Sequence, residues 1–325
     1  MSKRAELSRD VLLQLYTMML RIRLFEDRTA VLYPEQLVKC PVHLCIGQEA
    51  IAAGVCAHLA KKDYIFSTHR SHGHCIAKGM DLKTISAELY GRSNGCAKGR
   101  GGSMHLVDFE NGIPGTTAIV GGCIPLAVGA ALAAVKMKTG RISVAFFGDG
   151  ATEEGSFHES LNYASLKKLP VVFVCENNFY ATNSPQRARQ PEVNIADRAA
   201  GYGIPGIVID GNDVQAVYAS AGYAVERARS GSGPTLLEFR TYRWKGHVGP
   251  LEDIKIGCRP ADEHEAWLKK CPVDKFDRLL RERGLLNEEE ASRINSMIEA
   301  EVDEAIAFGK SGAEPDGSEL YDYVY

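Results

Sequence analysis

The residues best suited to chemistry sit in two short runs, "GDG" at 148–150 and "NN" at 177–178, each behind an apolar run of strand length. An Asp carboxylate, an Asn amide oxygen and a main-chain carbonyl are hard oxygen donors. Magnesium accepts that set while water and phosphate oxygens fill its remaining positions. Gly148 and Gly150 let a diphosphate approach the main chain, and Ala151 is expected to open a helix whose first N–H groups favour an anion. Alone, Gly-Asp-Gly reads as an ordinary tight turn. Paired with Asn177 and Asn178 at a neighbouring strand end, it points to a metal at Asp149 that carries a diphosphate.

The elements around these runs are those of an open α/β sheet, which keeps its ligands at the carboxyl ends of its strands. The apolar runs "ISVAFF", "VVFVCE", "GIVID" and "TLLEFRTYR" alternate with helical stretches, among them a helix from about Thr152 to Lys167 and another from Val214 to Arg229. Such repeats predict a mostly parallel sheet with right-handed crossovers. Upstream, Ser8 is placed to cap an amphipathic helix, a second helix starts near Gln48, and a strand runs into His69 and Arg70. The glycine-rich stretch 91–102 suits either close approach to a ligand or another backbone, or a flexible surface loop. Past Arg259 two charged amphipathic helices are expected, broken at Gly284. The reading is one α/β domain over 1–325, with an N-terminal helical arm at 1–40 and a C-terminal helical extension at 260–325.

Composition narrows the function classes. With 45% hydrophobic and 24% charged residues the chain can bury a full core, and a net charge of −3 with dispersed basic residues gives no reason to expect nucleic acid or an anionic membrane as partner. No apolar run approaches membrane-spanning length and no signal-peptide core is present, so a cytoplasmic protein is expected. Nine cysteines, an odd and scattered set, make neither a disulfide framework nor a zinc ribbon. His72 and His74 beside Cys75 are compact but lack a second ligand cluster at zinc spacing.

The two runs, 26 residues apart, together with "HLCIGQEA", "STHRSHGH", "GCAKGRGGSMH", "AIVGGCIPLAVGAA", "CENNFYATNSP" and "TYRWKGH", carry a family resemblance. Over nearly its whole length the chain resembles the alpha subunit of the thiamine-diphosphate-dependent decarboxylating component of 2-oxo acid dehydrogenase complexes, of pyruvate or acetoin type. The resemblance implies the thiamine-diphosphate-binding fold, thiamine diphosphate and Mg2+ as cofactors, and a pyruvate-like 2-oxo acid or acetoin as substrate. It also implies a beta subunit as partner in an α2β2 heterotetramer, and transfer of the acyl unit to a lipoyl-bearing acyltransferase component. The family's activating glutamate lies on the beta subunit, so the chain alone is expected to be catalytically incomplete. The small-residue helix "GAALAA" is a candidate either for subunit packing or for packing against its own sheet.

Residue by residue, the resemblance assigns Asp149, Asn178 and the main-chain carbonyl of Tyr180 to the metal. It assigns Gly148, Gly150 and Ala151 to the diphosphate from one side, and His69 and Arg70 from the other. Ala118 and Val120 would meet the aminopyrimidine through main chain, with the Val120 side chain holding the cofactor bent. His247 would assist proton transfer and carboxylate binding, and His43 would be a second pocket histidine.

Two stretches depart from the common pattern, "YPEQLVKCPV" at 33–42 and "VGPLEDIKIGCRP" at 248–260, and both are expected at the substrate entrance. Val248 stands where mitochondrial members carry a phosphorylated serine, which implies that this switch is absent. A thiamine-dependent acyl or ketol transferase subunit with a non-lipoyl acceptor, or a non-catalytic subunit of the same fold, are the alternatives. A nicotinamide dehydrogenase is disfavoured by the lack of a Gly-x-Gly-x-x-Gly turn between a first strand and helix.

Overall fold

A computed structural model describes residues 7–191 and 194–322, so the outermost ends of the expected arm and extension lie outside the described residues. In chain order the helices are α1 (Arg9–Leu32), α2 (Glu49–Cys56), α3 (His72–Ala77), α4 (Leu82–Leu89), α5 (Cys123–Lys136), α6 (Gly155–Leu166), α7 (Val214–Arg229), α8 (Ala261–Leu268), α9 (Pro272–Glu282) and α10 (Glu288–Ser311). The strands are β1 (Tyr64–Ser67), β2 (Gly115–Thr116), β3 (Ser143–Gly148), β4 (Val171–Asn177), β5 (Tyr180–Ala181), β6 (Ser184–Pro185), β7 (Gly206–Asp210) and β8 (Thr235–Arg240).

Six strands form one parallel sheet in the order β2-β1-β3-β4-β8-β7, and β5 with β6 makes a small antiparallel hairpin. The central strands read as continuous apolar runs because both faces are covered. Val144, Phe146, Val172, Val174, Leu237 and Phe239 enter the core on one side, while Ala145, Phe147, Phe173, Cys175 and Leu236 enter the core on the other. Burying each of these larger side chains contributes roughly 1.5–3 kcal/mol. The register pairs Gly148 with Glu176 and Asn177 with Arg240, which brings the two chemistry-bearing turns to the same edge of the sheet.

The first core is completed by α1, whose Leu12, Leu15, Met19, Ile22 and Phe25 follow helical spacing and whose N-cap Ser8 accepts from the Val11 N–H. The second is completed by α5 and α6 through Ala127, Ala131, Phe157 and Leu161. Thus one face of the small-residue helix packs internally. Its opposite face leaves Leu126 at 55% and Met137, just past its end, at 73% exposure. No helix among the described residues is long and apolar enough to cross a membrane.

Two local readings change. The chain after Asp149 does not enter a helix at Ala151 or Thr152. It makes a 3-10 turn over Asp149–Glu153, passes through an extended Glu154, and begins α6 only at Gly155. The reason is local, because Thr152 Oγ1 donates to the Asp149 carbonyl at 2.7 Å and the chain must turn again to lay α6 on the sheet. The C-terminal extension carries α8 ahead of the two helices read from the pattern.

The glycine-rich stretch 91–102 wraps a carboxylate of its own chain. Glu88, 1% exposed, accepts from the N–H groups of Ala97, Gly99, Gly101 and Gly102 at 2.7–3.0 Å. Gly99 has φ +76°, and a Cβ there would lie 2.6 Å from the Gly91 carbonyl carbon, so the glycine serves backbone-on-backbone approach. The C-terminal tail closes over the outside, with the Ser93 N–H donating to Ala313 O at 2.9 Å and Arg92 paired with Glu314 at 3.2 Å. Replacing Glu88 by Ala strands four N–H donors. A stability loss of about 3 kcal/mol or more is expected in denaturant titration, and a loss below about 1 kcal/mol would mean that water substitutes for the carboxylate.

Candidate active site

A cavity opens at the carboxyl ends of β1, β3 and β4. Every residue singled out for a site role lines it: His43, His69, Arg70, Ala118, Val120, Gly148, Asp149, Gly150, Ala151, Asn178, Tyr180 and His247. Four more polar residues that the sequence did not mark, Gln48, Thr68, Glu176 and Thr182, line it as well.

Asp149 sits in the turn after β3 with its side chain 2% exposed. Burial pushes its carboxyl above the ordinary carboxylate range, and Arg189 pulls it back. Arg189 donates from Nη2 to Asp149 Oδ2 and from Nη1 to Glu153 Oε1, so the carboxylate has a cation from its own chain. On the next strand the two asparagines divide their work. Asn177 donates to Gln186 Oε1 at 3.1 Å and Glu238 Oε1 at 2.8 Å, and its Oδ1 accepts from the Phe179 N–H at 3.0 Å, all of which brace the turn. Asn178 faces the cavity, donating to Gln48 Oε1 at 3.0 Å while its Oδ1 accepts from the Tyr180 N–H at 3.3 Å.

Beyond Asn178 the backbone is strained. Phe179 at φ +66° and Thr182 at φ +53° lie in the left-handed region, unusual for an aromatic and for a β-branched residue. They fold the chain into the β5–β6 hairpin over the Asp149 turn. The approach is so close that a Cβ on Gly150 would come 2.8 Å from Ala181 Cβ. Gly148, by contrast, has nothing within 4 Å of where a Cβ would project, which leaves open space beside the main chain.

The opposite wall is basic and aromatic. Arg70, 6% exposed, donates to Leu44 O at 2.6 Å and to His247 O at 3.3 Å, tying the "HLCIGQEA" segment to the "TYRWKGH" segment. The rings of His43, His69 and His247 stand 4.6–5.2 Å apart, centre to centre. Burial first, and Arg70 second, depress all three: His43 to about 3, His69 to about 2 and His247 to about 4. These imidazoles are therefore neutral at physiological pH. Their ring nitrogens lie within 4.8 Å of one another, a spacing that could close on a metal ion. The buried guanidinium beside them opposes a cation and favours an anion, so the wall suits phosphate or carboxylate.

The two unusual loops meet at this wall. The Gly249 N–H donates to Val42 O at 2.8 Å. The 248–260 loop is pinned by Asp253, 4% exposed, which pairs with Arg243 at 3.0 Å and Arg259 at 3.1 Å. Arg259 also lies over the Tyr180 ring, 4.3 Å from its centroid. His72 and His74 belong elsewhere: His72 bonds Glu26 and Ser103, and His74 bonds Ser67 and Glu176, each in a buried network. Of the residues that sequence reasoning missed, Gln48 lies inside a quoted motif and Glu176 directly precedes the asparagines. Arg189 has no such local signal.

The depressed imidazoles give a pH dependence with a definite sign. Below the ordinary value of 6.5 the unfolded chain takes up protons that the folded histidines refuse until about 4 and below. Stability therefore falls as pH falls from 7 to 5. A variant with His43, His69 and His247 all replaced by Gln should lose less melting temperature over that interval than the wild type. Equal slopes would show that the three rings are not neutral in the folded chain.

Comparison with known proteins identifies the family. A family model described as dehydrogenase E1 component matches residues 16–317. The alpha subunit of acetoin:2,6-dichlorophenolindophenol oxidoreductase from Bacillus subtilis is 44% identical over 98% of this chain and 95% of its own. Its counterpart from Cupriavidus necator is 39% identical over the same shares. The alpha subunit of the pyruvate dehydrogenase E1 component of Porphyra purpurea is 39% identical over 98% of this chain and 94% of its own. The chain belongs to the dehydrogenase E1 component family, and its likeness runs to alpha subunits of the acetoin and pyruvate types.

Proposed function

We propose that this chain is the alpha subunit of a thiamine-diphosphate- and magnesium-dependent dehydrogenase acting on acetoin or a pyruvate-like 2-oxo acid. It works with a separate beta subunit in an α2β2 assembly and delivers the acyl unit to a lipoyl group on an acyltransferase component. The observation that carries this reading is the cavity with two chemically opposite walls. One wall offers hard oxygen donors and the other offers a buried guanidinium with three neutral imidazoles.

The residues present fit the cofactor. The Asp149 carboxylate, the Asn178 amide oxygen and the Tyr180 carbonyl form a donor set suited to magnesium. The open side of Gly148 leaves room for phosphate against the main chain, where the N–H groups of Gly150 and Ala151 serve as donors. Arg70 and His69 hold the diphosphate from the other wall, and two buried polar atoms without partners among the described residues, His43 Nδ1 and Gln48 Nε2, remain for ligand contacts. The main chain of Ala118 and Val120 holds the aminopyrimidine, and the Val120 side chain at the rim keeps the cofactor bent. When bound, thiamine diphosphate supplies the electron sink needed to break a bond next to a carbonyl.

The protein's own part is binding, orientation and proton handling. A neutral His247 can accept or return a proton at a ring nitrogen beside the substrate oxygen, and Arg70 behind it favours the substrate's negative charge. Ile119 at 68% and Val120 at 48% exposure leave an apolar rim. That rim supports coverage of the cavity by a partner chain, which would exclude water and supply the activating carboxylate.

Co-expression with a beta subunit of the same family, followed by a panel of acetoin and 2-oxo acids with an artificial electron acceptor, tests the proposal. Turnover of one donor should require both chains, thiamine diphosphate and Mg2+. An assembly that fails to bind thiamine diphosphate would overturn the reading. In that assembly His247→Gln should lower kcat by about a hundredfold, the range of general acid–base catalysis, while thiamine diphosphate affinity stays within a few-fold. Unchanged kcat would reduce His247 to a positioning residue.

A further inference from the structure

The Arg189 guanidinium is held on three sides. Its Nη2 donates to Asp149 Oδ2, its Nη1 to Glu153 Oε1, and its Nε to Ser184 O at 3.2 Å. The next residue reinforces the contact, because Gln190 Nε2 donates to Asp149 O at 3.2 Å, to Thr152 Oγ1 at 3.2 Å and to Glu153 Oε1 at 2.8 Å. The segment from Ser184 to Gln190 is thus strapped across the Asp149 turn. Exposure is graded across the paired groups: the side chain of Asp149 is 2% exposed, Arg189 13% and Glu153 37%.

We propose that Arg189 is a built-in competitor of the divalent metal for the Asp149 carboxylate, so that metal entry moves the guanidinium outward onto Glu153. This rests on the reading of Asp149 as a metal ligand. The Oδ2 oxygen that accepts from Arg189 cannot also bind a dication at inner-sphere distance, since the guanidinium would then face a doubly charged ion across a buried gap. Glu153 makes the exchange feasible. It already binds the other terminal nitrogen and is the more hydrated carboxylate, so Arg189 can release Asp149 without being left unpaired. Because Nε also holds Ser184, the hairpin strand β6 is coupled to the exchange, and the strap loosens when metal binds.

Arg189 therefore sets metal affinity while remaining outside the metal's own ligands. If about nine molecules in ten hold the Arg189–Asp149 contact, the apparent affinity for metal is about tenfold below the intrinsic one. The probe is Mn2+ alone, titrated into the co-expressed assembly freed of cofactor, with free ion read by its EPR signal. Arg189→Met should bind Mn2+ about tenfold more tightly than wild type. Glu153→Gln, which removes the outward resting place, should bind it more weakly. Arg189→Met without metal should melt at lower temperature than wild type, and saturating Mn2+ should remove that difference. Arg189→Gln, which keeps length and polarity, serves if the Met variant folds poorly and should also bind more tightly.

Equal or weaker Mn2+ affinity in the Arg189 variants, including no binding by variant or wild type, overturns the competition. Asp149→Asn separates the two ideas: Mn2+ binding that survives this change defeats the metal reading itself. Binding lost in Asp149→Asn but unchanged in Arg189→Met defeats only the role of Arg189.

Discussion

A carboxylate buried at the end of a parallel strand must have compensating partners, and much of the local structure follows from that requirement at Asp149. The strand β3 delivers it into a turn where its side chain is almost wholly out of water. Burial without compensation would favour the neutral acid. The turn is therefore surrounded by features that keep a charge there useful: an arginine strap on one side, an amide oxygen from the neighbouring strand on another, and open space beside Gly148. The strained hairpin after Asn178 is part of the same arrangement, because only a sharply folded chain returns close enough to pack Ala181 against Gly150.

The opposite wall obeys the complementary constraint. Arg70 is buried with two carbonyls as partners and, among the described residues, no carboxylate within hydrogen-bonding distance, so its charge remains available to the cavity. The same two carbonyls, of Leu44 and His247, belong to segments far apart in sequence, and Arg70 fixes their spacing. Behind them the buried Arg243–Asp253–Arg259 group ties the 248–260 loop to the hairpin through Thr182 O and Tyr180. Charge placement and loop placement are thereby one problem, solved by the same side chains. The consequence is that the two unusual loops are held together, joined by the Gly249 to Val42 hydrogen bond.

How much of this could be read from the residues depended on range. The central strands were legible because a fully covered parallel strand is continuously apolar, and their ends were legible because Gly-Asp-Gly and Asn-Asn break that pattern. The histidines and Arg70 came from longer motifs. What escaped was set by tertiary contact. Nothing near Arg189 announces that it will reach a carboxylate forty positions upstream, and nothing in Glu88 announces that it will gather four N–H groups from the glycines that follow. The 3-10 turn after Asp149 escaped for a different reason. "ATEEGSFHESLNYASL" opens with the helix formers Ala151, Glu153 and Glu154, yet a 3-10 turn and an extended Glu154 delay the helix to Gly155.

The central claim is that Asp149 holds a metal ion which in turn holds a diphosphate. Pulsed EPR of Mn2+ bound to the assembled enzyme with thiamine diphosphate tests it most directly, since phosphorus directly attached to the ion's ligand sphere leaves a 31P coupling. The account predicts that coupling in the wild type and its loss in Asp149→Asn. A spectrum without 31P coupling, or one that Asp149→Asn leaves unchanged, would contradict it.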